Sequence, residues 1–185
     1  MLGCLVEKQH TTPDAYPLTL NSLRLACNQS TNRDPIVDYD EGQVRAALES
    51  LGRRRWTRMA SWGGRAVKYR HLLDDALGIS PGELALLTVL MLRGPQTPGE
   101  LKGRSERIHR FASLDEVEEA LGALCERDLA RRLERRPGQK EQRYEQLLGG
   151  EPVEEAAAPE APVDIEERVA RLEREVAALR AELGA

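Results

Sequence analysis

Apolar side chains recur with helical spacing in two separate stretches of the chain. In each stretch, four apolar positions follow the spacing i, i+3, i+4 and i+7, which places them on one face of an amphipathic helix. These positions are Val44, Ala47, Leu48 and Leu51 in the first stretch and Val117, Ala120, Leu121 and Leu124 in the second. Because the offset between the two sets is the same at all four positions, we interpret the chain as containing an internal repeat.

Two further helical segments precede each of these amphipathic helices. In the first copy they are predicted at Met1–Lys8 and Pro17–Cys27. In the second copy each begins with a capping box, in which a hydroxyl residue is followed by Pro at the first helical position and Glu at the third. The capping residues are Ser80 with Glu83 and Thr97 with Glu100, and the longer helices have the related pairs Asp40 with Gln43 and Ser113 with Glu116.

A β-hairpin pattern follows the long helix in each copy. Residues 57–62 and 65–72 flank Gly63–Gly64, and residues 130–135 and 142–147 flank Pro137–Gly138. Both pairs are typical of turns between strands. The order of three helices and a hairpin, found twice, predicts an α+β fold that is mainly α with small β-hairpins. We interpret it as two tandem winged-helix (helix-turn-helix) domains, at residues 1–77 and 78–149.

The end of the chain follows a different pattern. Residues 150–163 are rich in Glu, Ala and Pro and predict a disordered linker. Residues 164–185 carry a heptad seam that predicts a coiled-coil helix. Its core positions are Ile165, Val169, Leu172, Val176, Leu179 and Leu183. The β-branched residues at a and the Leu residues at d favour a parallel homodimer, and the flanking charges agree. The alternative is a single helix that docks on its own domain.

Composition and cysteine content limit the class of protein. Hydrophobic residues make up 41% of the chain and aromatic residues only 4%, which favours small helix-rich units. No apolar stretch is long enough for a membrane helix, and no secretory signal is visible, so we expect no membrane partner. The odd set Cys4, Cys27 and Cys125 predicts neither a disulfide framework nor a zinc site, and therefore a cytoplasmic protein.

Four stretches of the chain resemble those of the YceH family of bacterial proteins. They are Leu2–Lys8, Thr12–Leu18, Leu25–Pro35 and Leu92–Leu101. The resemblance covers essentially the whole chain and implies a tandem winged-helix fold. It implies no established activity. It also implies a further turn or two of helix before Met1, so the true start of the protein stays open.

A basic segment in the first copy is the best functional signal. Residues 53–70 contain seven basic residues and no acidic one, namely Arg53, Arg54, Arg55, Arg58, Arg65, Lys68 and Arg70. Such a cluster on a helix end and a wing can neutralise DNA phosphates, whereas Gln43 and Arg45 are candidates for contacts with base edges. The alternative is a solvated basic face whose long side chains cover an apolar hairpin.

The corresponding helix of the second copy is acidic. Its first half contains Asp115, Glu116, Glu118 and Glu119, which would repel phosphates. We therefore expect that the second copy does not read DNA with this helix. The acidic surface favours an alternative function, a protein-interaction adaptor that uses winged-helix domains as docking surfaces.

The polar loop Asn28–Pro35 is longer than a compact helix-turn-helix requires. We consider it a candidate binding loop, with Asn32 and Arg33 as its candidate residues. The alternative is a loop held by its own side-chain turns.

Catalytic and cofactor motifs are absent from the sequence. The histidines lie in different segments without metal-ligand spacing, and no Gly-rich loop follows a strand. We expect no enzyme, no cofactor and no metal. The sequence thus predicts a dimeric DNA-binding protein of transcription-regulator type that contacts double-stranded DNA, with the adaptor, whose partner is another protein, as the alternative.

Overall fold

The computed structural model describes residues 1–60, 66–135 and 141–149. The chain divides into two compact units, Met1–Gly149 and Gly150–Ala185. The predicted linker and the predicted coiled coil make up the second unit and lie outside the described residues, as do Trp62, Arg65 and the two hairpin turns. The first unit combines α-helices with small antiparallel sheets, which confirms the α+β class.

The first half of this unit contains four helices and a three-stranded sheet. Its elements are α1 (Leu2–Thr11), a 3-10 turn (Pro13–Ala15), β1 (Leu18–Thr19), α2 (Leu20–Cys27), α3 (Glu41–Arg53), β2 (Thr57–Ala60), β3 (Lys68–His71) and α4 (Leu73–Leu77). The strand order in the sheet is β1-β3-β2, and both pairings are antiparallel. The predicted order of three helices followed by two strands is confirmed here.

The second half repeats this order with three helices and a two-stranded sheet. Its elements are α5 (Pro81–Arg93), α6 (Pro98–Ser105), α7 (Leu114–Glu126), β4 (Ala130–Arg132) and β5 (Tyr144–Gln146). The strands β4 and β5 are antiparallel. The predicted domain boundary falls at Gly78, which ends α4 with a positive φ of 59°. That boundary remains a prediction, because Met1–Gly149 is one compact unit.

The prediction of a helix over Pro17–Cys27 is wrong at its start. Leu18 and Thr19 form the strand β1 beside β3, and the helix begins at Leu20. The physical reason is that the strand places Leu18 in the core, where only 3% of the residue is exposed. The Thr19 hydroxyl then caps α2 by accepting a hydrogen bond from the backbone N–H of Ser22 at 3.2 Å.

The predicted capping boxes are confirmed for three helices. Both reciprocal hydrogen bonds are present at the starts of α3, α5 and α6. For α7 only half of the prediction is right. The hydroxyl of Ser113 accepts from the N–H of Glu116 at 3.1 Å, but the Glu116 carboxylate accepts from the N–H of Ala112 at 2.7 Å. The Glu116 side chain thus bonds the backbone of the residue before the cap, and not that of the cap residue Ser113.

The buried apolar residues form two cores, and α1 contributes to both. Leu2 and Val6 pack in the core of α5 and α7, whereas Cys4 and Leu5 pack in the core of α2 and α3. Gly3 lies at the closest approach of α1 to α5, where a Cβ atom would lie only 3.1 Å from Cγ of Leu92. This contact joins the two halves of the unit.

Candidate nucleic-acid interface

Helix α3 places the two predicted base-reading residues on its solvent side. Val44 and Leu48 are buried, so Gln43 and Arg45 are exposed. Both side chains are engaged locally. The Gln43 amide oxygen accepts from the N–H of Asp40 at 2.9 Å as part of the cap, and Nη2 of Arg45 lies 2.7 Å from Oε1 of Glu41. To contact a base, Arg45 would therefore have to leave the exposed carboxylate of Glu41.

Three exposed arginines mark the end of α3. The helix ends at Arg53, and Arg55 takes a positive φ of 60° that turns the chain towards β2. The N–H of Trp56 closes this turn by donating to the carbonyl of Leu51 at 2.9 Å. The guanidinium of Arg54 lies 5.1 Å from the centre of the Trp56 ring, a cation–π distance. The turn therefore presents several guanidinium groups to solvent.

The sheet adds further positive charge beside this turn. Arg58 on β2 is directly opposite Arg70 on β3, and Lys68 follows on the same face of β3, opposite Ala60. Like charges directly opposite each other destabilise a sheet, so this arrangement favours an anionic partner. The seventh predicted residue, Arg65, lies outside the described residues.

A groove of about 640 Å³ runs between α3 and the strands β2 and β3. Arg45, Arg53 and Arg58 line it together with Met59 and Tyr69. Neither Met59 nor Tyr69 was predicted to belong to this surface. A signal was available for Met59, because a large apolar residue directly after Arg58 on a short strand is either core or contact surface. In the structure 67% of Met59 is exposed, so it belongs to the groove.

The basic residues of this surface take no part in the ion pairs found among the described residues. Those pairs involve Lys8, Arg33, Arg45, His71, Arg104, Arg127 and Arg131 instead. We define the basic surface as Arg53, Arg54, Arg55, Arg58, Lys68 and Arg70. Its positive charge is thus not neutralised within the part of the chain that the structure describes, and it is available to an external anion.

The polar loop between α2 and α3 has a packing role at Arg33. Its guanidinium donates to Oε1 and Oε2 of Glu7 at 3.2 and 2.6 Å, and to the carbonyl of Ala26 at 2.8 and 3.2 Å. Burial is the largest single influence and lowers the pKa of Arg33, but the hydrogen bond to Glu7 and the neighbouring negative charges together raise the pKa above its usual value. Arg33 therefore holds the loop on α1 and α2, a contact that neither the binding-loop prediction nor the alternative of turns within the loop included.

The other candidate of this loop, Asn32, lies at the surface. It has a positive φ of 58°, and its side-chain oxygen accepts a hydrogen bond from Arg93 at the end of α5. The loop is also tied to α5 by the N–H of Asp34, which donates to the carbonyl of Leu92 at 2.9 Å. No pattern in the sequence predicted that Arg93 would contact this loop.

The second half presents an acidic surface. Asp115, Glu116, Glu118 and Glu119 are exposed on the first half of α7. A pocket of about 330 Å³ lies beside them and is lined by carboxylates and by Phe111. The charge of this face is opposite to that of the basic surface in the first half.

Within residues 1–60, 66–135 and 141–149, no group of three or more His, Cys, Asp or Glu residues is arranged to hold a metal ion. Cys4 and Cys27 carry buried free thiols, and Cys125 carries a partly exposed one. No helix in these ranges has the length and apolar character needed to cross a membrane.

Comparisons with known proteins identify relatives along most of the chain. The family model described as "Protein of unknown function, DUF480" matches residues 1–139. A UPF0502 protein of Geotalea uraniireducens (strain Rf4) is 51% identical over 191 residues, covering 98% of this chain and 87% of the relative. A UPF0502 protein of Pectobacterium atrosepticum is 42% identical over 198 residues, covering 100% of this chain and 93% of the relative.

Proposed function

The chain belongs to the DUF480 family of bacterial proteins, also called UPF0502, and we propose that it is a dimeric DNA-binding protein of transcription-regulator type. In this proposal each half of Met1–Gly149 is a winged helix, with α3 and α7 as the third helices. The order of elements and the resemblance to the YceH family support this interpretation. The wing of the first half then includes β2 and β3.

The observation that carries the proposal is the basic surface, whose side chains form no ion pair with any residue that the structure describes. Its arginines and its lysine extend from the end of α3 across β2 and β3, beside a groove that α3 itself lines. In a winged helix the third helix enters the major groove while neighbouring basic residues contact phosphates. The arrangement therefore favours positioning on duplex DNA more than reading of its sequence.

Binding of the full chain to random-sequence duplex DNA across a salt series tests the proposal. Each phosphate that the protein neutralises contributes about 0.9 to the slope of log affinity against log salt. We expect measurable affinity at low salt and a slope that corresponds to several phosphates. Flat, negligible binding at low salt would contradict the proposal.

Two pairs of charge reversals show where DNA binds. Arg54→Glu with Lys68→Glu changes the basic surface and should abolish most binding while the far-ultraviolet circular dichroism stays unchanged. Arg132→Glu with Arg135→Glu makes the same change of charge at two exposed positions of the second half, one at the end of β4 and one just beyond it. Equal loss of binding in both variants would mean that net charge, and not this surface, determines the affinity.

A protein-interaction adaptor is the second candidate function. The exposed carboxylates of α7 favour it, since they give the second half a surface that repels DNA and attracts basic partners. It becomes the leading candidate if the duplex is not bound. Glu118→Lys with Glu119→Lys should then abolish the binding of a basic partner that the Arg54→Glu, Lys68→Glu variant retains.

A further inference from the structure

A small cleft lies where the α2–α3 loop meets the end of α5, the end of α6 and the residues that follow α6. It has a volume of about 60 Å³, and its polar lining includes Thr11, Asn32, Arg93, Arg104 and Arg107. These residues come from four separate parts of the chain. The cleft is distinct from the basic surface and from the groove beside α3.

The positive charge of this cleft exceeds the negative charge that faces it. Glu7 also lines the cleft, but its carboxylate is already paired with Arg33 at 2.6 Å. Arg104 is paired with Glu100 at 3.2 Å. Arg93 and Arg107 take part in no ion pair among the described residues. Two guanidinium groups are therefore left without a carboxylate partner in this part of the structure.

The surroundings of Arg93 show that positive charge accumulates here. Its pKa is lowered first by burial and then by the neighbouring charges of Arg104 and Arg33, while the carboxylates of Glu7 and Asp34 have a smaller effect in the opposite direction. Like charges that raise each other's energy in this way are stabilised by an anion placed between them. The hydrogen bond from Arg93 to Asn32 also fixes the position of its guanidinium in advance.

The size and the donors of the cleft limit its ligand. A volume of about 60 Å³ is that of about two water molecules in the liquid, so it admits one small oxyanion group. Guanidinium groups bind phosphate oxygens through parallel N–H donors, with stronger hydrogen bonds than neutral groups form. A larger ligand would have to leave the rest of its structure in solvent.

We propose that this cleft binds a phosphate group through Arg93, Arg104 and Arg107. The phosphate belongs either to a free anion or small phosphorylated molecule, or to the backbone of bound DNA. Because the cleft joins the loop of the first half to α5 and α6 of the second half, occupancy stabilises their contact. If the phosphate belongs to a free anion or a small phosphorylated molecule, the cleft is a site at which that ligand stabilises the contact independently of DNA.

Thermal unfolding of the full chain tests this site with inorganic phosphate as the probe. Phosphate replaces chloride at constant pH and ionic strength, and the Tm is followed by circular dichroism during a titration. A ligand that binds only the folded state raises the Tm with concentration. Arg107→Gln removes an exposed cleft residue, and Arg93→Gln removes the central one. Arg110→Gln is the matched control, since Arg110 is exposed nearby but does not line the cleft.

We expect phosphate to stabilise the wild type and Arg110→Gln alike. Loss of one charge-assisted contact should weaken phosphate binding by about tenfold or more in Arg107→Gln and Arg93→Gln. Salt-series binding to duplex DNA then identifies the source. A slope reduced by about one in Arg107→Gln, but not in Arg110→Gln, assigns the phosphate to the DNA backbone. An unchanged slope, together with the loss of phosphate stabilisation, assigns it to a small anion.

The site is overturned if neither measurement separates Arg107→Gln from Arg110→Gln. Equal phosphate stabilisation of all variants would be a general ion effect and would count against the cleft. The titration needs no DNA, so its outcome is independent of the proposed DNA binding. Should Arg93→Gln fail to fold, Arg107→Gln still decides the question.

Discussion

Arg33 and Glu7 form an ion pair that is nearly removed from solvent, with 4% and 11% of their side chains exposed. The pair is made by a loop residue and a residue of α1 that lie far apart in the chain. The guanidinium also donates to the carbonyl of Ala26, so its donors are used by both α1 and α2. At the residue scale, this contact explains why a long polar loop keeps one conformation.

Breaking this pair should be costly. Arg33→Gln removes the closer charged partner of the buried Glu7 carboxylate and leaves only Lys8, whose Nζ is 3.7 Å away. We expect a loss of up to about 3–5 kcal/mol in the free energy of unfolding. Urea denaturation measures it. The control is Arg45→Gln, whose pair with Glu41 is 59% exposed on both sides and should cost less than about 0.5 kcal/mol. Similar losses in both variants would show that Arg33 is not the anchor of the loop.

His71 is a buried histidine whose protonation opposes folding. Only 2% of it is exposed, and Nδ1 accepts from the N–H of Leu73 at 3.3 Å. Burial lowers its pKa below the usual 6.5, although the Asp74 carboxylate at 3.6 Å acts in the opposite direction. The nearby charges of His10 and Arg70 lower the pKa further, and the Tyr16 hydroxyl accepts from the backbone N–H of His71.

The stability of the protein should therefore fall as the pH drops below about 6.5. Above that pH His71 is neutral in both states, but below it the unfolded chain binds the proton more readily than the folded one. His71→Asn keeps an acceptor for Leu73 and should reduce the loss of stability between pH 7 and pH 5. His10→Asn removes an exposed histidine whose charge lowers the pKa of His71 less than burial does, and should leave most of that loss in place. Denaturant midpoints at several pH values measure both, and equal curves for the two variants would exclude His71.

At the scale of elements, the contact between α1 and α5 joins the two cores. Gly3 lies at this contact, where a Cβ would be 3.1 Å from Cγ of Leu92 and 3.2 Å from Cβ of Met91, closer than ordinary van der Waals packing. Gly3→Val should force these helices apart and cost about 1–3 kcal/mol. Gly122→Ala lies inside α7 with open space around it, and should instead gain up to about 1 kcal/mol.

Chemical denaturation of the two glycine variants compares helix propensity with helix packing. A loss for Gly3→Val together with a gain for Gly122→Ala confirms that the α1–α5 contact is close-packed. A gain or no change for Gly3→Val would mean that α1 can move away from α5 at little cost. The packing of α1 would then depend less on its contact with α5 than the structure indicates.

The helices illustrate how far local patterns predict elements. The starts of α3, α5 and α6 follow from capping residues within a few positions, and the structure contains the predicted bonds. The strand β1 could not be predicted in this way. It has two residues and owes its existence to β3, which lies about fifty residues later in the chain. Pairing over such a separation leaves no periodic signal.

At the scale of the whole molecule, the sequence predicts a parallel homodimer through residues 164–185. Deletion of these residues should convert the dimer into a monomer in sedimentation equilibrium. Leu172→Asp with Leu179→Asp should do the same, because both residues occupy predicted core positions. Ala181→Asp, at an outer position of the same heptads, is the control and should leave the dimer intact. A dimer that survives the deletion would place the interface elsewhere.

Dimerisation also affects the proposed DNA binding. Two copies joined through a tail present two basic surfaces, and the second contact becomes intramolecular. The tail deletion should therefore weaken binding to a long duplex more than binding to a duplex that admits one copy. This expectation connects the predicted coiled coil to the basic surface without requiring any direct contact between them.

The sequence by itself determined the features that depend on residues close together in the chain. Apolar spacing predicted α3 and α7, capping pairs predicted where helices begin, and the basic run 53–70 predicted the charged surface. These predictions hold because helix periodicity, caps and local charge are decided within one or two turns.

Only the tertiary structure decided which distant side chains meet. It buried Arg33 against Glu7, joined Asn32 to Arg93, and placed Arg104 and Arg107 around one cleft. Each of these contacts depends on how α1, α5, α6 and the α2–α3 loop pack together. Packing between elements is set by the fit of many side chains at once, and no single stretch of sequence records it.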